Sequence, residues 1–256
     1  MLVCVAHSGA HAGTSCFKIK NGGLVPDGKK LRPLSLGQTT PPVGPGTTVS
    51  QALFTDDNDA LLVFVKGNAA DNSTGYIMVY PVHGPFVSPA GKKNIQDGTI
   101  TLFGSAQIPG TSRIVATDAD VGGALIDIEK NNRVATKAII TVPGSKAECW
   151  AAYSSATGTV FITDGGVNSL IGINPWTGAV VSELIPDNGN TAMLDVRVAG
   201  DFAYGLAPGN PPHIAVFDVS QGNETIKYIE NFVPAGLEGL EVPLNVEGMA
   251  TWGQFS

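Results

Sequence analysis

Helical periodicity is absent from this sequence: no window of about 11–18 residues carries apolar residues at helical spacing without a Gly or Pro interrupting it, which argues against a helix-built core. Charge is scarce too. Charged residues make up 14% of the chain, and 22 acidic against 15 basic residues leave a net charge of −7 with no long run of either sign. A nucleic-acid or anionic-membrane partner needs a basic patch, so neither is expected. Apolar stretches stop at strand length, far below the roughly 20 residues of a membrane span, and no span is expected. Chemical signatures are equally sparse: there is no Gly-x-Ser-x-Gly elbow, no His-Glu-x-x-His, no P-loop and no Cys-x-x-Cys, so neither a cofactor nor a metal centre is expected. Of the three cysteines, Cys4 and Cys16 fall on strands expected to be hairpin partners, where a cross-strand bridge is one reading and buried thiols the other; Cys149 reads as a buried thiol. The opening Met-Leu-Val-Cys-Val-Ala-His reads as a strand and not as a secretory leader. Two sequons, at Asn72 and Asn223, would accept glycans in a secreted product.

What is present is punctuation and extended runs. The 32 Gly and 17 Pro break up short segments rich in Val, Ile and Thr, a pattern suited to pleated strands joined by tight turns. Self-similarity organises them. Five segments, 2–22, 61–84, 114–132, 160–178 and 202–222, share an apolar strand, a polar or Gly-rich loop, an alternating strand and a turn. Their opening strands exit at His7, Lys66, Asp118, Asp164 and Leu206, at spacings of 59, 52, 46 and 42 residues, and each interval holds about four short strands. The expected fold is therefore all-β: a single β-propeller domain of four-stranded antiparallel blades, with about five blade units at 1–48, 49–100, 101–146, 147–191 and 192–245. LRPLSL, ATKAIITV, VVSELI and TIKYIENF are the expected outer strands. The first unit lacks a leading strand, and 246–256 offers a spare one to close the ring. A closed ring predicts a monomer; an open one leaves unpaired edges and predicts edge-mediated association.

Several stretches carry a family likeness: LGQTTPPVGPGTTVS (36–50), LFGSAQIPGTS (102–112), ECWAAYSSATGTVFITDGGVNSLIGINPWTGAVVSEL (148–184) and the closing VEGMA. Together they resemble the fungal 3-carboxymuconate cyclase-like proteins, a branch of the seven-bladed lactonase and 6-phosphogluconolactonase-like propellers. The resemblance implies a propeller, a fungal source, secretion or cell-wall display, and lactone-forming or lactone-opening chemistry on a small carboxylate. It departs from the family in blade number, five units against seven.

The repeat alignment gathers polar residues at one mouth of such a propeller: His7, His11, Lys66, Asp118, Asp120, Asp164 and Asn168, with Gln38, Thr39 and Thr40 from a Pro-rich connection, and Glu148 and Glu247 opening innermost strands. Closing a lactone on a muconate needs cations to hold carboxylates and a general acid to protonate the developing carbanion. His7 or His11 fits the acid, and Lys66 or Arg197 the clamp, although Arg197 alternates with Asp195 and also reads as half of a local ion pair. Glu148 reads as a base, a calcium ligand or a hydrated channel acid, and the aspartates as turn residues or oxygen ligands for a hard cation. The alternative to an enzyme is a non-catalytic secreted or cell-wall propeller with a binding, adhesive or antigenic surface.

Overall fold

A computed structural model of the chain describes residues 1–28, 31–44, 46–209, 211–222, 225–234 and 248–251. These residues contain no helix; they form 21 strands in five antiparallel sheets, one for each repeat in the sequence.

The first sheet runs β1 (Leu2–His7), β2 (Gly13–Lys20), β3 (Gly23–Pro26), with β4 (Arg32–Pro33) also on β2. The second comprises β5 (Val49–Phe54), β6 (Ala60–Val65) and β7 (Tyr76–His83), with β8 (Phe86–Val87) and β9 (Lys92–Ile95) sharing the outer edge of β7. The third is β10 (Leu102–Gln107), β11 (Arg113–Asp118), β12 (Gly122–Glu129), β13 (Arg133–Ile140); the fourth β14 (Glu148–Ser154), β15 (Thr159–Asp164), β16 (Leu170–Ile173), β17 (Val180–Leu184); the fifth β18 (Asp195–Ala199), β19 (Phe202–Ala207), β20 (His213–Asp218), β21 (Lys227–Phe232). The last three keep strict chain order, the meander expected of a blade. Of the expected outer strands, LRPLSL contributes only the two residues of β4, because β3 takes the outer position beside β2 first.

Contacts divide the chain into two compact units, one of Met1–Phe103, Pro109–Arg113 and Ile126–Lys137, the other of Gly104–Ile108, Ile114–Leu125 and Ala138–Ser256. In the first, Leu61, Val63 and Val65 of β6 join Cys16, Leu34, Tyr80 and Val82 in one core, against which Leu2, Cys4 and Ala6 of β1 pack. Cys4 stands opposite Cys16 in the ladder, and the two form a disulfide. The interrupted outer strands of its two sheets are stitched by a buried ion pair. Arg32 pairs with Asp27 and also donates to the carbonyls of Val87 and Ser88, while Asp27 accepts the Val87 amide. Farther along, alternate side chains of the β9 segment cross to β13: Asn94 and Gln96 donate to the carbonyls of Asn132 and Val134 beside a polar groove of about 370 Å³.

The second unit shows why a strand such as TVFITD is apolar without alternation. Val160 and Ile162 of β15 enter a core with Val115, Leu125 and Ile140, whereas Phe161, on the opposite face, enters another with Val196, Ala203 and Phe217. Strands buried on both faces read as continuous apolar runs. Of the expected closing strand, residues 248–251 run without strand pairing, and the rest lies outside the described residues, as does the sequon asparagine Asn223.

Candidate active site

Two of the repeats end their second strand on the same pair of residues, Thr117-Asp118 on β11 and Thr163-Asp164 on β15. Both threonines are buried and serve the backbone of β14. Thr117 donates its hydroxyl to the carbonyl of Cys149 (2.8 Å) and accepts the amide of Gly104 (2.9 Å); Thr163 accepts the amide of Trp150 (3.2 Å). These bonds replace ladder bonds lost at a register shift between Glu148 and Ala151. Such a bulge re-aims side chains at the end of a strand. Gly104 is needed for the approach: a Cβ there would lie 2.8 Å from the Cα of Trp150.

Glu148 opens this strand and is 1% exposed. Neither carboxylate oxygen has a hydrogen-bond partner of good geometry. Burial pushes its pKa up to about 7; the Ser145 side chain and the Glu148 amide offset part of that rise, and the neighbouring Asp164 and Asp118 carboxylates add to it. A carboxyl group is thereby held where it exchanges its proton at neutral pH, the property of a general acid or base. This burial departs from the hydrated channel acid that the sequence allowed.

Asp164, directly across the ladder from Glu148, is just as buried yet fully engaged. It accepts the amides of Lys146, Ala147, Gly166 and Val167 at 2.7–3.1 Å, tying the approach to β14 to the turn after β15. Asp118 is also buried and accepts the amide of Asp120, which is exposed. Asn168 is buried and donates to Pro186 and Asn188, a cross-brace between loops. Among the described residues, no group of three or more His, Cys, Asp or Glu side chains has metal-holding geometry.

Arg197 takes the ion-pair reading. It contacts Asp195 at 2.9 Å, donates through Nε to the carbonyl of Met249, and lies over the Trp150 ring. Asp195, which opens β18 as Glu148 opens β14, accepts the Met249 amide at 2.7 Å, so the two side chains grip both backbone groups of one residue. Burial pushes the Asp195 pKa up, offset by the Met249 amide, Arg197 and the Val196 amide. In the sequence Asp195 reads only as a partner for Arg197. Aligning the starts of the leading strands would have exposed it as the counterpart of Glu148.

The other described candidates belong to the first unit. His7 ends β1 and His11 lies in the following turn; both are exposed. Gln38 accepts the amide of Gly9 and Thr40 that of Ala10, strapping this turn, while Thr39 bonds locally to Pro41. Lys66 is buried with its ammonium 3.7 Å from the centre of the Phe103 ring. Glu247 lies outside the described residues.

The sequence matches no protein-family model and no curated protein. Solved structures do resemble it. A candidate 6-phosphogluconolactonase of Bacteroides fragilis superposes with a TM-score of 0.67 at 14% identity, over 91% of this chain and 68% of that one. One from Bacteroides uniformis gives 0.65 at 11% identity, over 91% and 67%. The periplasmic gluconolactonase of Pseudomonas aeruginosa gives 0.63 at 13% identity, over 92% and 70%. This likeness shows the fold, a β-propeller.

Proposed function

We propose that this protein processes lactones, with Glu148 carrying the proton. Supporting this is a buried carboxyl group, without well-placed hydrogen-bond partners, titrating near neutrality at the start of a bulged strand. In the hydrolytic direction Glu148 takes a proton from water as the water oxygen bonds to the lactone carbonyl carbon. The ring C–O bond then breaks, and the same proton passes to the departing oxygen, giving a hydroxy acid. One group serves both steps because its two forms are comparably populated at neutral pH. The reverse direction closes the ring.

The finer reading, from the sequence resemblance, is a 3-carboxymuconate cyclase-like activity on a small carboxylate. There a substrate carboxylate adds across an alkene, and Glu148, more suitably placed than the exposed His7 and His11, protonates the adjacent carbon. The acidic surroundings of Glu148 favour hydrolysis of an uncharged ring over capture of a polyanion, since Asp118 and Asp164 repel added carboxylates. The same surroundings favour the second reading, a non-catalytic binding propeller. Secretion or cell-wall display is part of both proposals, supported by the Cys4–Cys16 disulfide and the exposed sequon at Asn72.

The test is incubation with 3-carboxymuconate, followed by its diene absorbance, and with δ-gluconolactone, followed by acid release. Turnover of either that disappears in Glu148→Gln supports the enzyme. Absence of both activities at high protein concentration favours the binding module.

A further inference from the structure

Three hydrogen-bonding atoms beside the buried ion pair of the first unit are unsatisfied by protein. Thr14, Asp27 and Arg32 are 0%, 2% and 1% exposed, and each keeps one polar atom without a partner among the described residues: Thr14 Oγ1, Asp27 Oδ1 and Arg32 Nη1. A buried polar atom left in that condition costs about 1–3 kcal/mol, and more where the group is charged. Native interiors seldom leave even one.

The strand register brings the three side chains together. Thr14 stands opposite Arg32 where β2 meets β4. Pro26 stands opposite Phe17 where β2 meets β3, which sets Asp27 opposite Cys16, whose carbonyl accepts the Asp27 amide at 3.0 Å. Thr14 and Cys16 are two residues apart on β2 and so share a face. That face is the inward one, because Cys16 belongs to the core shared with the second sheet.

The bonds already made define what the remaining atoms require. Arg32 Nε donates to the Ser88 carbonyl, and Nη2 uses both of its protons, on Asp27 Oδ2 and the Val87 carbonyl, so the two protons of Nη1 remain. Asp27 Oδ2 accepts from Arg32 and from the Val87 amide, and Oδ1 accepts from neither. The Thr14 hydroxyl is unmatched.

We propose that one internal water molecule is bound here, accepting from Arg32 Nη1, donating to Asp27 Oδ1 and sharing a third hydrogen bond with the Thr14 hydroxyl. The chemistry selects this guest, which must accept and donate at once. An anion would meet the Asp27 carboxylate, a cation would meet the guanidinium, and an apolar guest would satisfy none of the three atoms. Reach selects it too. Oδ1 and Nη1 belong to groups already joined at 2.5 Å through the adjacent atoms Oδ2 and Nη2, close enough for one water to bridge with two ordinary hydrogen bonds of about 2.7–3.0 Å. Buried waters of this kind make about three hydrogen bonds to groups the chain leaves unpaired. The stitch between the first two sheets thus has three members: a carboxylate, a guanidinium and a bound water.

A crystal structure of the oxidised chain at a resolution that orders internal solvent, read with deuteron magnetic relaxation dispersion in solution, tests the proposal. One ordered water within about 3.2 Å of Arg32 Nη1, Asp27 Oδ1 and Thr14 Oγ1 is expected. In solution the Asp27→Leu, Arg32→Met double variant should lose the dispersion amplitude of one long-lived water, with far-UV circular dichroism confirming that it is folded. The crystal structure needs the wild type alone, so it decides even where the double variant does not fold. Arg32 Nη1 bonded directly to Asp27 Oδ1, a Thr14 hydroxyl bonded to a protein carbonyl, or no ordered water among the three atoms overturns the proposal. So does equal dispersion amplitude in the wild type and a folded double variant.

Discussion

Glu148 and Asp164 stand opposite each other where β14 meets β15, both buried, yet Asp164 accepts four backbone amides while Glu148 has no well-placed hydrogen-bond partner. One carboxylate braces two loops; the other holds its proton up to near neutral pH.

That asymmetry has a pH signature in stability. The folded-state pKa of Glu148 is raised to about 7 from 4.5, so the folded chain holds a proton that the unfolded chain has released. The contribution of this group to stability is greatest below pH 4.5, falls as pH rises between 4.5 and 7, and then levels off, a total loss of about 3 kcal/mol. In Glu148→Gln this component disappears. Urea unfolding at pH 5 and pH 8 measures it.

Asp164→Asn replaces one acceptor oxygen by an amide donor that meets backbone N–H groups. The expected cost is about 2–4 kcal/mol, read by thermal or urea unfolding. Because Asp164 raises the Glu148 pKa, the variant should also lower the Glu148 midpoint, visible by carbon-detected NMR titration.

Among the described residues Arg32 is the largest fully buried side chain, and its guanidinium ties Asp27 to the carbonyls of Val87 and Ser88. Arg32→Met leaves Asp27 buried without its cation and should destabilise the chain by about 3–5 kcal/mol. Replacing both partners, Asp27→Leu with Arg32→Met, should recover much of that loss in denaturant unfolding.

Reducing Cys4–Cys16, with 12 residues of sequence separation, should cost about 3 kcal/mol in the loop-entropy account. The transition temperature with and without dithiothreitol measures it, and a Cys4→Ser, Cys16→Ser chain should no longer respond to the reductant.

The architecture was legible because its signals are local. Strands such as ALLVFV and TVFITD announce burial on both faces, and the turns between them are marked by Gly, Asn and Asp; Asn58, Asn131 and Gly158, for example, take positive φ. The split outer strands were not legible, since the Asp27–Arg32 pair that stabilises the interruption joins residues to carbonyls 55 and 56 positions away. At the site, Glu148 could be picked out as an acid opening an inner strand. Its protonation behaviour could not, because it depends on burial and on how backbone amides are shared: Asp164 takes four, and Glu148, opposite it in the ladder, takes none of these. For Arg197 the nearby half was legible, the ion pair with Asp195 two positions away, and the far half was not, its partner on the Met249 carbonyl being 52 residues distant.

The pH dependence of kcat/KM for δ-lactone hydrolysis, with Glu148→Gln as the paired variant, tests the role of Glu148 most directly. A rate that rises through a midpoint near pH 7 and falls by about 10²–10⁴ in the variant is the predicted result. A pH profile without that midpoint, or a variant as fast as the wild type, would contradict it.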